Sequence, residues 1–158
     1  GHLREALINE ACQQIEQEGA LGVGRNSVGT ALNLSKLAQK IGVSQPAVYR
    51  HFPNKQALAI SVAQKGFEQL GAALQAATQT VESDAFEGIR AIATAYVDFA
   101  RNHPEMARLM FSMKERVTEP VLQNASKAAA VPLFRIVEAA KSCDRLRNCD
   151  VEQAVRII

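Results

Sequence analysis

Between residues 45 and 55 the chain presents an amide (Gln45), a phenol (Tyr49), a guanidinium (Arg50), an imidazole (His51) and an ammonium (Lys55). Each can donate a hydrogen bond and none is a carboxylate. Such a set suits a polyanion: cations and hydroxyls hold phosphate oxygens, while an amide or guanidinium matches the donor and acceptor pattern on a base edge. The surrounding stretch has the same character. From Gly19 to Phe67 the basic residues are Arg25, Lys36, Lys40, Arg50, Lys55 and Lys65, with no Asp or Glu, although the whole chain carries a formal charge of only +2. Acid is concentrated elsewhere, with Glu5, Glu10, Glu16 and Glu18 set against Arg4 alone at the start. Charge by itself fits a solvated face equally well, so the elements that carry these residues must decide.

Leu3, Leu7, Ala11 and Ile15 recur every four residues, widened by Ile8 and Cys12, and predict an amphipathic helix over 3–18 that stops at Gly19. Residues 19–32 contain glycines 19, 22, 24 and 29 without helical periodicity and read as a long loop. Asn33 can cap a short helix with Leu34, Leu37, Ala38 and Ile41 on one face. Gly42 ends it, and Ser44 is placed to cap a second short helix through His51, with Pro46 tolerable in its first turn. Phe52-Pro53 breaks that helix, and Asn54 caps a long one from Lys55 to about Val81, with Leu58, Val62, Leu70 and Leu74 buried. Two short helices joined by a tight glycine turn form a helix-turn-helix, in which Ala38 and Gly42 allow close crossing and the second helix enters a major groove by its first turn.

The residues then resemble a known family. LSKLAQKIGVSQPAVYRHFPNKQAL is similar to the N-terminal signature of the TetR transcriptional regulators, including the Tyr49-Arg50-His51-Phe52 run and Asn54-Lys55. The resemblance is strong over 3–62 and weaker beyond, where FARNHPEMARLMF is similar to one subclass of the family's ligand-binding domains. Helix-turn-helix geometry makes Gln45, Ala47 and Arg50 candidate readers of base edges; the resemblance implies that Ser44, Gln45 and Ala47 occupy recognition-helix positions, that Tyr49, His51 and Lys55 contact phosphates and that Phe52 belongs to the core, and Pro46 and Lys36 complete the expected DNA-binding set. The loop over 20–32 is longer than the family's usual connection; a solvated insertion is expected over a role for Arg25 along the DNA backbone.

The rest reads as more helix. Asp84 begins one with Phe86, Ile89, Ala93, Tyr96 and Ala100 inward; Pro104 opens the next; Thr118 and Pro120 open another that Pro132 should kink or split. Asp150 with Gln153 resembles a capping box for a last helix. The fold class is therefore all-α: a three-helix head over 1–62 with a helix-turn-helix, joined by a long fourth helix to a helical bundle over 63–158. Phe67, Phe86, Tyr96, Phe99, Met106, Met110, Phe111, Met113 and Phe134 are candidates for an effector pocket because of size and inward spacing, though a bundle core needs the same residues.

Catalytic chemistry has little foothold. Gly24 to Thr30 has the glycine spacing of a phosphate-binding loop but lacks its lysine, and no predicted strand precedes it. His51 and His103 have no carboxylate or thiol at ligand spacing; His103, before Pro104, is expected to satisfy a helix-end carbonyl. Cys12, Cys143 and Cys149 form neither a disulfide framework nor a metal motif, and Cys12 is expected to be a buried thiol. No enzyme activity, metal or cofactor is expected. The partners expected are double-stranded DNA, a small-molecule effector and a second copy of the chain, in a cytoplasmic protein without a membrane segment. A helical carrier or protein-interaction module would explain the body but not the acid-free basic stretch. The apolar spacing of Val151, Ala154, Val155 and Ile158 predicts a segment that stops inside a dimerisation helix.

Overall fold

The structure is a computed structural model. It describes residues 2–18, 32–79, 85–116 and 118–142; the glycine-rich segment, Asp84, Cys143, Cys149, the Asp150–Gln153 capping box and Val151–Ile158 lie outside the described residues. Within them are helices α1 (His2–Glu18), α2 (Leu34–Ile41), α3 (Gln45–His51), α4 (Lys55–Gln79), α5 (Ala85–Asn102), α6 (Pro104–Arg116) and α7 (Pro120–Ser142). The described residues contain no strand, and the all-α expectation holds. No helix among them is long and apolar enough to cross a membrane.

The chain divides into two compact units: residues 1–66 with 103–123, and 67–102 with 124–158. The first thus holds the expected head and also α6; helix α4 contributes to both.

In the first unit, Leu7, Ile8, Ala11 and Ile15 of α1 are buried as their spacing demands. They share the core with Leu34, Leu37 and Ala38 of α2, Val48 of α3, Phe52, Leu58 and Val62 of α4, and Met106, Met110 and Met113 of α6. Close approach of α4 and α6 depends on Gly66, because a Cβ there would lie 2.5 Å from the Met110 sulfur and 2.9 Å from that of Met106. Helix α6 is capped from outside: its Met106 N–H donates to Glu16 Oε1 of α1 at 3.1 Å. A carboxylate at a helix N-terminus satisfies an orphan donor and opposes the helix dipole. His103, the residue before α6, has its Nδ1 3.9 Å from that same Glu16 oxygen. Its ring thus lies beside the carboxylate that caps α6, while its own carbonyl accepts from the Ala107 N–H at 3.0 Å.

In the second unit, Leu70 and Leu74 of α4 are buried together with Ile92 and Phe99 of α5 and Ala129, Leu133 and Val137 of α7. A Cβ on Gly71 would come within 3.0 Å of the Ala129 backbone, and one on Gly88 within 2.6 Å of Ile136 Cδ1, so α7 packs closely on both neighbours. The inward stripe of α5 differs from the expected one. Gly88, Ile92 and Phe99 are buried, whereas Phe86 is 53% exposed and Ala93 is exposed. The helix is apolar over so much of its circumference that two adjacent registers fit its pattern, and packing at the glycine selects the other one. Pro132 does not split α7. The carbonyl that proline deprives of a partner belongs to Ala128, an exposed residue that water can reach.

Candidate nucleic-acid interface

The turn between α2 and α3 is built by local backbone chemistry. Asn33 Oδ1 accepts from the Ser35 and Lys36 N–H groups at 3.0 and 3.1 Å, capping α2. At its other end Gly42 adopts φ +75°, and the Val43 N–H donates to the Ala38 carbonyl at 2.9 Å. That left-handed position turns the chain within one residue, which a Cβ would oppose. Ser44 takes the extended conformation of an N-cap residue, and its carbonyl accepts from Ala47 at 3.0 Å. Its hydroxyl makes no capping bond, however, contrary to the role expected of it. Pro46 in the first turn lacks an N–H that would otherwise need a partner.

Helix α3 is anchored by one side and open on the other. Val48 is fully buried, Phe52 terminates the helix at 1% exposure, and Ala47 is half-buried. Gln45, Pro46, Tyr49, Arg50 and His51 are exposed, as are Ser44 before the helix and Lys36 and Lys55 on the flanking helices. The ring of Tyr49, 49% exposed, lies outside the core that Val48 and Phe52 fill. All residues predicted for DNA contact therefore lie on or beside one short helix, with only Ala47 turned partly inward.

Further side chains hold this arrangement, and of these Arg4 was not picked out from the sequence. The Arg4 guanidinium of α1 sits 5.3 Å from the centre of the Phe52 ring and donates to Ser61 Oγ at 3.0 Å, so one residue braces both the end of α3 and the start of α4. Its only sequence signal is a lone cation among four carboxylates. Asn54 Oδ1 accepts from the Ala57 N–H at 2.8 Å and starts α4, as its type suggested. Lys40, itself exposed, pairs with Glu10 of α1 and ties α2 to that helix. Finally, Gln45 Nε2 donates to Ser35 Oγ of α2; no pattern in the sequence announced it.

The effector candidates are not brought together in one unit. Met106, Met110 and Met113 are buried in the first unit, where Phe111 is half-buried. Phe67 and Phe99 are buried in the second, Tyr96 and Phe134 half-buried, and Phe86 exposed. Burial raises the Tyr96 phenol above its ordinary range, keeping it a neutral donor. An open groove of about 420 Å³ in the second unit is lined by Ala77, Arg90, Thr94 and Asp98 among others, and by none of the candidates. Cys12 is half-buried, and burial pushes its thiol up to about 11, which suits a packing role over a reactive one.

Comparison with known proteins adds the following. The family described as "Bacterial regulatory proteins, tetR family" matches residues 7–62, and "Tetracyclin repressor-like, C-terminal domain" matches 89–158. The HTH-type transcriptional activator FasR of Mycolicibacterium smegmatis is 31% identical over 99 residues, 63% of this chain and 44% of FasR. The nucleoid occlusion factor SlmA of Edwardsiella ictaluri is 31% identical over 107 residues, 68% of this chain and 50% of SlmA. The chain thus spans about half the length of these curated relatives. A protein of unknown function from Rhodococcus sp. RHA1 superposes with a TM-score of 0.85 at 32% identity, covering 99% of this chain and 77% of that one. The TetR family regulator PfmR of Thermus thermophilus superposes at 0.67 with 19% identity, over 96% and 79% of the two chains, a likeness of fold.

Proposed function

The chain belongs to the TetR family of bacterial regulatory proteins, and from that premise we propose that it regulates transcription by binding double-stranded DNA as a homodimer. The observation that carries the proposal is the open face of α3, with Gln45, Tyr49, Arg50 and His51 exposed beside Lys36 and Lys55. Phosphate contacts from Tyr49, His51, Lys36 and Lys55 position the helix; Ser44, Gln45, Pro46, Ala47 and Arg50 meet base edges. Two copies present two such helices to half-sites about 34–36 Å apart. A small molecule that favours one arrangement of α4 over another then competes with the operator for conformations. Repression released by that molecule, in the cytoplasm, is the direction proposed; among the relatives FasR is named an activator, so a reporter fused to the operator must read the sign.

The test is DNA affinity as a function of salt. Lys55→Ala and Tyr49→Phe weaken binding to every sequence, and Lys55→Ala lowers the salt slope by about 1, because one phosphate contact is lost. Gln45→Ala instead alters sequence preference. Absence of DNA binding at low salt removes the proposal's support.

A further inference from the structure

We propose that Ser35 is a positioning residue for base reading: its hydroxyl holds the Gln45 amide in the orientation that selects adenine. The proposal rests on the DNA-binding reading above and concerns a residue that makes no base contact itself.

The bond runs between helices, from Gln45 Nε2 in the first turn of α3 to Ser35 Oγ in the first turn of α2. Neither partner is required by its own helix. Asn33 already caps α2 and takes the Ser35 N–H, leaving the Ser35 hydroxyl unused by the cap. The backbone under both groups is fixed as well, on one side by that cap and on the other by the Gly42 turn. Both side chains are exposed, so an amide in this place would otherwise rotate freely in water.

A glutamine side chain ends in one acceptor and two N–H donors, and a half-turn of the amide exchanges their places. In the structure one N–H is donated to Ser35 Oγ, and that bond ties the amide in this orientation to α2. The acceptor Oε1 and the second N–H remain, and this pair is complementary to adenine, whose N6 donates and N7 accepts on the major-groove edge. A guanine offers two acceptors there and leaves Oε1 facing another oxygen. Ser35 thus ties down before binding an amide that would otherwise be ordered at the moment of contact.

A brace that merely stabilised the turn would lower melting temperature and every affinity together, whereas an orienting contact changes preference at one base position. The experiment is selection of bound sequences from random duplex DNA by the wild type and by Ser35→Ala, Ser35→Thr and Gln45→Ala. The side-chain amide nitrogen-15 signal of Gln45 is recorded beside it in protein without DNA. Expected results are an adenine preference in each half-site that Gln45→Ala abolishes and Ser35→Ala reduces by about two- to tenfold, the worth of one neutral hydrogen bond. Ser35→Thr, which keeps the hydroxyl, restores the preference, and affinity for unrelated DNA stays unchanged. The Gln45 amide signal shifts in Ser35→Ala and stays in place in Ser35→Thr. A wild type with no base preference anywhere overturns both this inference and the function it rests on. A preserved wild-type consensus with the same adenine preference in Ser35→Ala, with a uniform loss over all sequences, or with an unmoved Gln45 signal overturns the inference alone.

Discussion

The two compact units solve the same problem, packing amphipathic helices, with different tolerances. In the first, short helices are fixed by specific devices: the Asn33 and Asn54 caps, the positive φ of Gly42, the Glu16 cap on α6 and the Arg4 brace. In the second, the observed order comes chiefly from apolar stripes on α4, α5 and α7 and from two close approaches at Gly71 and Gly88. The difference teaches where a sequence is constrained. A unit that must hold a seven-residue helix at a defined angle cannot rely on helix length for stability, since helices that short do not form alone. It relies on particular residues at particular positions, and those are what substitution should expose.

The largest effect is expected at Phe52. Truncation to alanine removes a buried ring from the end of α3 and leaves Arg4 without its aromatic partner. Unfolding free energy should fall by about 3–5 kcal/mol, read by denaturant titration, with DNA binding lost at temperatures where most of the helical circular-dichroism signal remains. Equal retention of binding and stability would mean that α3 is not held through this ring.

Glycine substitutions set the units against each other directly. Gly66→Ala in the first drives a methyl group into Met110 Sδ and Cγ and Met106 Sδ, and should destabilise by about 1–3 kcal/mol. Gly88→Ala in the second meets chiefly Cδ1 of Ile136, a half-buried side chain with room to give, and gains helix propensity worth up to about 1 kcal/mol, so its net effect should lie near zero. Thermal unfolding of both variants reads the contrast; the reverse order would contradict it.

A smaller loss, about 1–2 kcal/mol, is expected for Gly42→Ala, because nothing lies within 4 Å of its Cβ position and the strain is confined to the backbone. Gly42→Asn should lose less, since asparagine tolerates the left-handed region. The smallest effect, under about 0.5 kcal/mol, is expected for Phe86→Ala, whose ring is half exposed; a large loss would restore it to the inward stripe.

The same contrast explains what the sequence made legible. Caps, a glycine stop and a proline in a first turn are local signals, so α2, α3 and the start of α4 could be placed to within a residue or two. The proposed DNA-facing set came from helix-turn-helix geometry and the family resemblance, and the structure leaves all of it exposed except Ala47. Ser44 was assigned a capping bond that its hydroxyl does not make, since residue type gives the option and geometry the outcome. In α5 periodicity alone could not choose between adjacent registers, and Phe86 was placed inside for that reason. Met106, Met110 and Met113 were candidates for an effector pocket; they are buried in the first unit, Met106 and Met110 against Gly66, and a buried methionine looks the same from the sequence in either role. Contacts between distant segments, such as Arg4 with Ser61 or Glu16 with Met106, leave no local pattern at all.

The central claim is that the exposed face of α3 reads DNA sequence. Its most direct test is selection by the purified protein from a random duplex library at low salt, repeated with Gln45 and Arg50 both replaced by alanine. The account predicts an enriched consensus of two inverted half-sites centred about 10 base pairs apart or a multiple of that, and a changed or erased consensus in the double variant. Recovery of the same consensus by the double variant, or no enrichment by the wild type, would contradict it.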